Sequence, residues 1–248
     1  MKVLNFSGGR SSAYMVKRLI DEGLTDYVVL FQNTGKESVE TLHFVNECDK
    51  RWGLNVVWLE YRSRNSYAVV TYETASRNGE PFEMVINDNE RLPGSFMRFC
   101  TKYLKLHPAE RYLKSIGIKE YDKYLGIRYD EPRRWMKRVE VENEFLPLVK
   151  WKITKQEIFN YWYKSDFDLN LDEPFGNCDL CFHKKKSKIK FIAKNHPETF
   201  KWWVDMENKW GKHFRDDGPL QFYLDTAHIQ IDMFDDNVDD AQCFCNID

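Results

Sequence analysis

Small residues are concentrated in one short segment near the start of the chain, NFSGGRSSAYM, residues 5–15. An apolar run precedes the segment and a helical pattern follows it, so the small residues fall where a strand passes into a helix. Glycines let the backbone approach a ligand closely, and N–H groups at the start of a helix attract anions. Ser7, Ser11 and Ser12 can add hydroxyl donors, and Arg10 can add charge. The segment predicts a phosphate-binding loop, and an ordinary strand-to-helix turn is the alternative.

The cysteines form a second group that could do chemistry. Four of the six fall into two close pairs, Cys178 with Cys181 as C-x-x-C and Cys243 with Cys245 as C-x-C. In a reducing compartment such pairs are more typical of metal binding or catalysis than of disulfides. A C-x-x-C pair is compatible with zinc, with part of an iron–sulfur cluster and with a redox pair of thiols. Cys48 lies in a helical pattern and is interpreted as a core residue.

The elements that would position these groups begin with a β-α-β-α-β pattern. Residues 2–6, 27–32 and 55–61 are apolar runs typical of buried strands. The two helical patterns between them each end at a glycine, Gly23 and Gly53. This order predicts a parallel sheet with crossover helices, in which ligands bind at the carboxyl ends of the strands. The segment rich in small residues lies at such an end.

The later elements are less regular. Residues 62–95 predict a loop or an inserted hairpin, and residues 96–117 predict a helix interrupted near Pro108. A helix is expected from about residue 154, with Thr154 as its N-cap and Glu157 completing a capping box.

Composition and charge exclude several classes of protein. The 248 residues are 42% apolar and 15% aromatic, which predicts a sizeable core and argues against disorder. A net charge of −2 argues against binding of polyanions through bulk charge. No run of about 18 apolar residues is present, and the N-terminus looks like a core strand, so we expect a cytoplasmic protein with no membrane partner. A boundary near residue 150 would separate a nucleotide-binding α/β domain (1–150) from a helical, cysteine-bearing region (151–248) packed on the same site.

Several motifs resemble those of a known family. SGGRSS resembles the PP-loop S-G-G-x-D-S of the ATP-pyrophosphatase superfamily, with Ser11 where that motif has Asp. NTGKESVETLHFV is similar to the D-T-G-x-x-x-x-E-T segment of the phosphoadenylyl-sulfate (PAPS) reductase branch, with Asn33 in place of Asp. FCTKYLKLHP, GIRYDEPRR and PLVKW resemble the C-T-x-x-x-K-x-x-P, G-x-R and P-L-x-x-W elements of that branch, in the same order. The resemblance implies a Rossmann-like α/β fold, in agreement with the strand and helix pattern.

The resemblance also implies roles for individual residues. The loop would wrap the phosphate or sulfate end of an adenine nucleotide, and the second strand end would lie near the ribose or the phosphates. Arginine binds phosphate oxygens bidentately, so the arginines of the G-x-R loop are candidate anion clamps, and ion pairs with Asp130 and Glu131 are the alternative. The residues expected to bind the nucleotide are Ser7, Gly8, Gly9, Arg10, Ser11, Ser12, Thr34, Gly35, Arg128, Arg133 and Arg134.

Two precedents in the family bear on the cysteines. PAPS reductases carry a nucleophilic cysteine in a C-terminal E-C-G-L-H motif, which is absent here, although QCFCNID lies in a similar place. Cys243, Cys245 and Arg128 are therefore the catalytic candidates. Adenylyl-sulfate reductases and several thiolation enzymes hold a [4Fe–4S] cluster, with a spacing that this chain does not match closely. The expected metal ligands are Cys100, Cys178, Cys181 and Cys245, with Cys243 as an alternative fourth ligand. They would bind an iron–sulfur cluster or zinc; the other alternative is that they are redox or packed thiols without a metal.

Three hypotheses about function follow. The first is an enzyme of sulfur transfer or sulfonucleotide reduction that uses the loop and a cysteine or cluster. The second is ATP-dependent adenylation and thiolation of a nucleic acid or small molecule, with Mg²⁺; the basic run at residues 183–190 could attract a nucleic acid, and a solvated helix face is the alternative. The third is a nucleotide-binding module without catalysis.

Overall fold

The computed structural model describes residues 1–95, 97–171, 175–176 and 178–228. The strands in these residues are β1 (Lys2–Asn5), β2 (Tyr27–Asn33), β3 (Val57–Ser63), β4 (Ser66–Val70), β5 (Asp122–Leu125) and β6 (Glu144–Phe145). They form one sheet in the order β4-β3-β2-β1-β5-β6. Every neighbouring pair is parallel except β3 with β4, which form an antiparallel hairpin. The predicted α/β fold with a largely parallel sheet is confirmed.

Helices connect the strands and continue beyond them. Over the same residues they are α1 (Arg10–Asp21), α2 (Val39–Trp52), α3 (Glu80–Asn89), α4 (His107–Ser115), α5 (Pro132–Trp135), α6 (Pro147–Lys150), α7 (Lys155–Tyr163), α8 (Lys186–Asn195), α9 (Phe200–Trp210) and α10 (Leu220–Asp225). A π-helical segment, Thr101–Leu106, runs directly into α4, and a 3-10 turn, Pro197–Thr199, runs into α9. None of the helices in the described part of the chain is long and apolar enough to cross a membrane.

The sheet is covered on both faces, as expected for parallel strands. Because side chains alternate along a strand, Leu4 and Phe31 pack in the core that contains α1 and α2. Val3, Leu30 and Leu59 point to the opposite face and pack with α4. The sheet is thus held rigidly between two helical layers, and its strand ends are fixed in position.

A third core joins the C-terminal helices to α3. Phe82 of α3 lies with its ring 5.4 Å from that of Trp203 in α9, and both side chains are buried. Ile189 of α8 belongs to the same core, as do Cys178 and Cys181. The cysteine-bearing segment is therefore a buried part of this core.

The structure refines the predicted elements between the sheet and the C-terminal helices. The hairpin predicted in residues 62–95 is present as β3–β4, but α3 follows it and was not predicted. Pro108 lies in the first turn of α4, directly after the π-helical segment, so the predicted interruption takes the form of a change from π-helix to α-helix. Residues 148–169 contribute apolar side chains to the core around α1 and α2. The domain boundary near residue 150 stays a prediction.

The capping box at the start of α7 is confirmed. The backbone N–H of Thr154 donates to Glu157 Oε2 at 2.7 Å, and the Glu157 N–H reaches Thr154 Oγ1 at 3.5 Å. These reciprocal bonds satisfy N–H groups that a helix start leaves without partners. The start of α7 is therefore encoded locally.

Candidate functional site

The strand order reverses next to β1, and this reversal creates a crevice. From β1 the chain passes to β2 on one side, whereas β5 pairs with β1 on the other side. Ligands of open α/β sheets bind in such crevices, outside the carboxyl ends of the strands. The loop at Ser7–Gly9 leaves β1 there, and the loop beginning at Gly126 leaves β5. The predicted phosphate-binding segment thus lies at the expected place.

The loop after β1 needs glycine for its shape. Gly8 has a φ of +79°, and a Cβ at this position would lie 2.6 Å from Thr41 Cγ2 and 3.1 Å from the ring of Phe31. Gly9 is the N-cap of α1, with extended backbone and no side-chain capping bond. The first turn of α1 therefore faces the crevice without a capping side chain, and its N–H groups and dipole favour an anion there.

The serines of the loop divide into two roles. Ser12 is 3% exposed, and its hydroxyl donates to the Gly9 carbonyl at 2.9 Å. Ser7 Oγ lies 3.0 Å from Ser12 Oγ and, because the single Ser12 proton is already used, Ser7 donates in that contact. Ser11 Oγ accepts a 3.4 Å hydrogen bond from Arg128. Ser7 and Ser12 thus shape the loop, whereas Ser11 connects it to the arginine.

A glycine that sequence reasoning did not single out brings the two loops together. A Cβ on Gly126 would lie 2.8 Å from Ser12 Cα and 3.1 Å from Ser12 N. Only glycine lets the exit of β5 approach the first turn of α1 so closely. The G-x-R motif contains this glycine, but only its arginine was assigned a role from the sequence.

Arg10 is tied to the loop that follows α7. Its guanidinium donates two 2.7 Å hydrogen bonds to the carboxylate of Asp168, and its carbonyl accepts one at 3.1 Å from Trp162 Nε1. These contacts anchor the start of α1. Sequence reasoning missed Asp168, because it is 158 residues from Arg10 and lies in no recognised motif.

Arg128 lies between the loop after β1 and its own acidic neighbours. Its Nε donates to Asp130 at 2.9 Å, in addition to the contact with Ser11. Burial by itself would raise the pKa of Asp130. The hydrogen bond from the Lys155 N–H and the charge of the Arg128 guanidinium have a larger combined effect, so the pKa of Asp130 lies below its ordinary value. Asp130 is therefore a carboxylate that orients Arg128 toward the crevice.

The other two arginines of this loop, Arg133 and Arg134, differ in their exposure and in their partners. Arg134 donates to Glu131 at 2.5 Å, and Glu131 is only 5% exposed and also accepts from the Arg128 N–H at 2.9 Å. Arg133 is exposed on α5. The ion pairs with Asp130 and Glu131, which were the alternative to anion clamps, are therefore present, and they hold the arginine loop in place at the crevice.

The end of β2 is organised by buried polar groups. Asn33 is fully buried; its amide donates to Glu60 Oε1 at 2.7 Å and to the Ser76 carbonyl at 2.9 Å, and it accepts from Gly35 N at 3.1 Å. Gly35 itself has a φ of +77°. This network fixes the turn that carries Thr34.

Thr34 faces a buried carboxylate and a thiol. Its N–H and hydroxyl both donate to Glu37 Oε2, at 2.8 and 2.7 Å, and its Oγ1 lies 3.7 Å from Cys178 Sγ. Burial raises the pKa of Glu37, although Lys105 and the bonds from Thr34 act against it. The Thr34 side chain thus links the carboxyl end of β2 to the C-x-x-C segment.

Three of the predicted metal ligands converge. Cys100, Cys178 and Cys181 line one apolar cavity of about 10 Å³, together with Thr34 and Lys105. Cys243 and Cys245 lie outside the described residues. Within the residues that the structure describes, no three His, Cys, Asp or Glu side chains are grouped so that they could hold a metal ion. Cys48 is a buried core residue whose thiol pKa is raised by burial.

Comparison with known proteins gives a family and three relatives. Residues 2–171 match the family model for the phosphoadenosine phosphosulfate reductase domain. The chain is 31% identical over 229 residues to the uncharacterized nin region protein ORF290 of Escherichia phage lambda, covering 87% of this chain and 77% of that protein. Two uncharacterized proteins of Methanocaldococcus jannaschii, MJ0973 and MJ0066, are 24% and 21% identical over 218 and 211 residues. They match 84% and 81% of this chain, which spans 47% and 40% of their lengths.

Proposed function

The chain belongs to the phosphoadenosine phosphosulfate reductase domain family, and from this membership and the geometry of the crevice we propose that it is a nucleotide-binding enzyme of sulfur transfer or sulfonucleotide reduction. The observation that carries the proposal is the close approach of Gly126 to Ser12, which brings Arg128 onto the glycine-rich loop at the strand-order reversal. An anion seated there meets the start of α1 and a guanidinium together.

A sulfonucleotide suits this arrangement because its leaving group gains negative charge. In the reaction a thiolate attacks the sulfur of the sulfonucleotide, a new S–S bond forms, and the bond from sulfur to the phosphate oxygen breaks. The electron pair leaves on the adenosine phosphate, where the first turn of α1 and Arg128 would stabilise it. The attacking thiolate is assigned to Cys243 or Cys245, which keep that role as a prediction.

The replacement of the superfamily aspartate by Ser11 bears on the choice of nucleotide. A carboxylate is the usual protein ligand for Mg²⁺ near phosphates, and a serine hydroxyl that accepts from Arg128 is a poor substitute. We therefore favour a sulfonucleotide over ATP with Mg²⁺. The adenylation and thiolation hypothesis predicts the opposite preference.

The cavity lined by Cys100, Cys178 and Cys181 is too small, as it stands in this structure, to hold an iron–sulfur cluster. Its volume of about 10 Å³ is close to that of one water molecule. A four-iron cluster would require the segments that carry Cys100 and Cys178 to move apart, and a fourth ligand would have to come from beyond the described residues. As they stand, these residues do not fit such a group by themselves. No step of the proposed reaction is routed through a metal.

The proposal is tested by titration calorimetry with three nucleotides: a 3′-phosphoadenosine 5′-phosphosulfate probe, adenosine 5′-monophosphate (AMP), and ATP with Mg²⁺. We expect the sulfonucleotide to bind most tightly, and Arg128→Ala to weaken it at least about tenfold, because a charge-assisted hydrogen bond is lost. Arg64→Ala, which removes an exposed arginine at the turn between β3 and β4, is the control and should leave the nucleotide affinity unchanged. Release of sulfite in the presence of a dithiol reductant would establish turnover. Failure of all three nucleotides to bind would refute the proposal.

A further inference from the structure

Two aromatic rings lie stacked immediately beside the arginine that contacts the loop. The centroids of Tyr129 and Trp135 are 6.2 Å apart, and their planes differ by 12°. Tyr129 is 43% exposed, so part of its ring is open to a ligand. We propose that this pair is a stacking subsite for a planar nucleobase. The inference rests on the proposed function, because it places the base next to a phosphate held at the loop.

Hydrogen bonds fix the Trp135 ring and the backbone of Tyr129 before any ligand arrives. The Trp135 indole N–H donates to the Tyr129 carbonyl at 2.9 Å, and the Tyr129 N–H donates to the Ile153 carbonyl at 2.8 Å. The short helix that carries Trp135 is held in turn by the bond from Arg134 to the buried Glu131. A rigid aromatic face loses little conformational freedom on binding, so stacking on it contributes affinity efficiently.

The position of the rings matches the layout of a nucleotide. Tyr129 directly follows Arg128, whose Nη1 donates to Ser11 Oγ in the loop. A phosphate at the loop and a base at Tyr129 would thus be held by adjacent residues. Every base has an aromatic face, so the subsite would accept the base of a bound mononucleotide or a base of a nucleic-acid strand.

The chain offers a close control for the exposed ring. Phe145 on β6 is also 43% exposed and stacks on Tyr124 with an interplanar angle of 12°. It lies on a different strand and has no arginine neighbour in the sequence. Phe145→Ala therefore removes an equivalent exposed ring without touching the arginine loop.

The test compares ligands with and without a base. Binding of AMP, ribose 5-phosphate and a short single-stranded oligonucleotide is measured on the full chain and on Tyr129→Ala, Tyr129→Phe and Phe145→Ala. We expect Tyr129→Ala to weaken AMP about tenfold or more while ribose 5-phosphate binds unchanged. Tyr129→Phe should keep the affinity, because it keeps the aromatic face, and Phe145→Ala should bind like the unmodified chain.

The remaining outcomes distinguish a mononucleotide from a nucleic-acid strand as the source of the base, and failure of the stacking subsite from failure of the proposed function. If Tyr129→Ala weakens only the oligonucleotide, the subsite serves a strand rather than the mononucleotide. If it weakens neither ligand while both bind the unmodified chain, the subsite is refuted and the nucleotide site stands. If the unmodified chain binds neither AMP nor the 3′-phosphoadenosine 5′-phosphosulfate probe, the proposed function itself fails and the subsite fails with it.

Discussion

At the scale of single residues, the neighbours of Asn33 explain why this chain carries an amide where the family motif has Asp. Glu60 is completely buried, and it accepts from Asn33 Nδ2 at 2.7 Å and from Ser76 N at 2.6 Å. The same Asn33 amide also donates to the Ser76 carbonyl. A carboxylate at position 33 would place acceptor oxygens against Glu60 and the Ser76 carbonyl, where the amide now donates. The amide is therefore required by Glu60.

Restoring the family residue at position 33 should therefore destabilise the chain. Asn33→Asp should lower the free energy of unfolding by about 2 kcal/mol or more, because two buried donor contacts become repulsive. The double variant Asn33→Asp/Glu60→Gln should recover part of the loss, since the glutamine amide introduced by the second substitution can donate to the new carboxylate. Urea unfolding of the three proteins measures both effects. Equal stability of Asn33→Asp and the unmodified chain would contradict this explanation.

The sequence revealed the types of the site residues but few of their partners. Ser11 and Arg128 were predicted from motifs, and the structure brings them within 3.4 Å. Asp168, Glu37 and Glu60 were not predicted, because each acts through a contact that only the folded chain creates. Carboxylates are common in a chain with 39 Asp and Glu, so their types alone single out no position.

At the scale of elements, the junction of β1 and α1 places two adjacent glycines in different environments. Gly8 has a positive φ and no room for a Cβ, whereas a Cβ on Gly9 would have its nearest neighbour, Ser7 Oγ, at 3.9 Å. Gly9 also has an ordinary φ of −98°. Gly8 thus serves the fold, and Gly9 leaves open the space in which an anion would sit.

Substitution of Gly8 is therefore expected to affect stability, whereas substitution of Gly9 is expected to affect nucleotide binding. Gly8→Ala should lower the free energy of unfolding by about 1–3 kcal/mol, through backbone strain and overlap with Thr41. Gly9→Ala should change stability by no more than about 0.5 kcal/mol. It should nevertheless weaken nucleotide binding, since the added methyl group would meet the anion. Thermal unfolding and calorimetry on the same two variants measure this, and the idea fails if Gly9→Ala binds nucleotide normally.

Element prediction succeeded where the pattern was local and failed where packing decided. The three apolar runs became β1, β2 and β3 because a buried parallel strand needs a continuous apolar stretch. The helix α3 was missed, although Pro81 in its first turn is a helix-start signal, because it follows an irregular polar segment and owes its burial to β3 and to α9, which lies more than 100 residues later. The local pattern gave no sign of that partner.

At the scale of the whole molecule, the cysteine-bearing segment is attached to the exit of β2. Asp179 N–H donates to the Lys36 carbonyl at 2.7 Å, and the two side chains form a 2.9 Å ion pair. Lys36 Nζ also lies 5.1 Å from the ring of Trp202 in α9. The C-terminal helices are thus fixed against the sheet, and Cys178 lies at the end of β2, the strand next to β1 and its glycine-rich loop.

Three thiols from two distant segments, Cys100 on one and Cys178 with Cys181 on the other, line one cavity and lead to the last prediction, which concerns the full chain. Because the cavity lined by these cysteines is too small for a cluster, protein purified without oxygen should contain about four irons per chain only if the cavity opens and the C-terminal segment supplies Cys245 as a fourth thiolate. Cys178→Ser and Cys245→Ser should both lose this iron, and Cys48→Ser should keep it, because Cys48 is a core residue outside the cavity. Iron analysis and visible absorption measure the outcome. Iron-free protein with a native fold would remove the cluster and leave the thiols to act directly in sulfur chemistry.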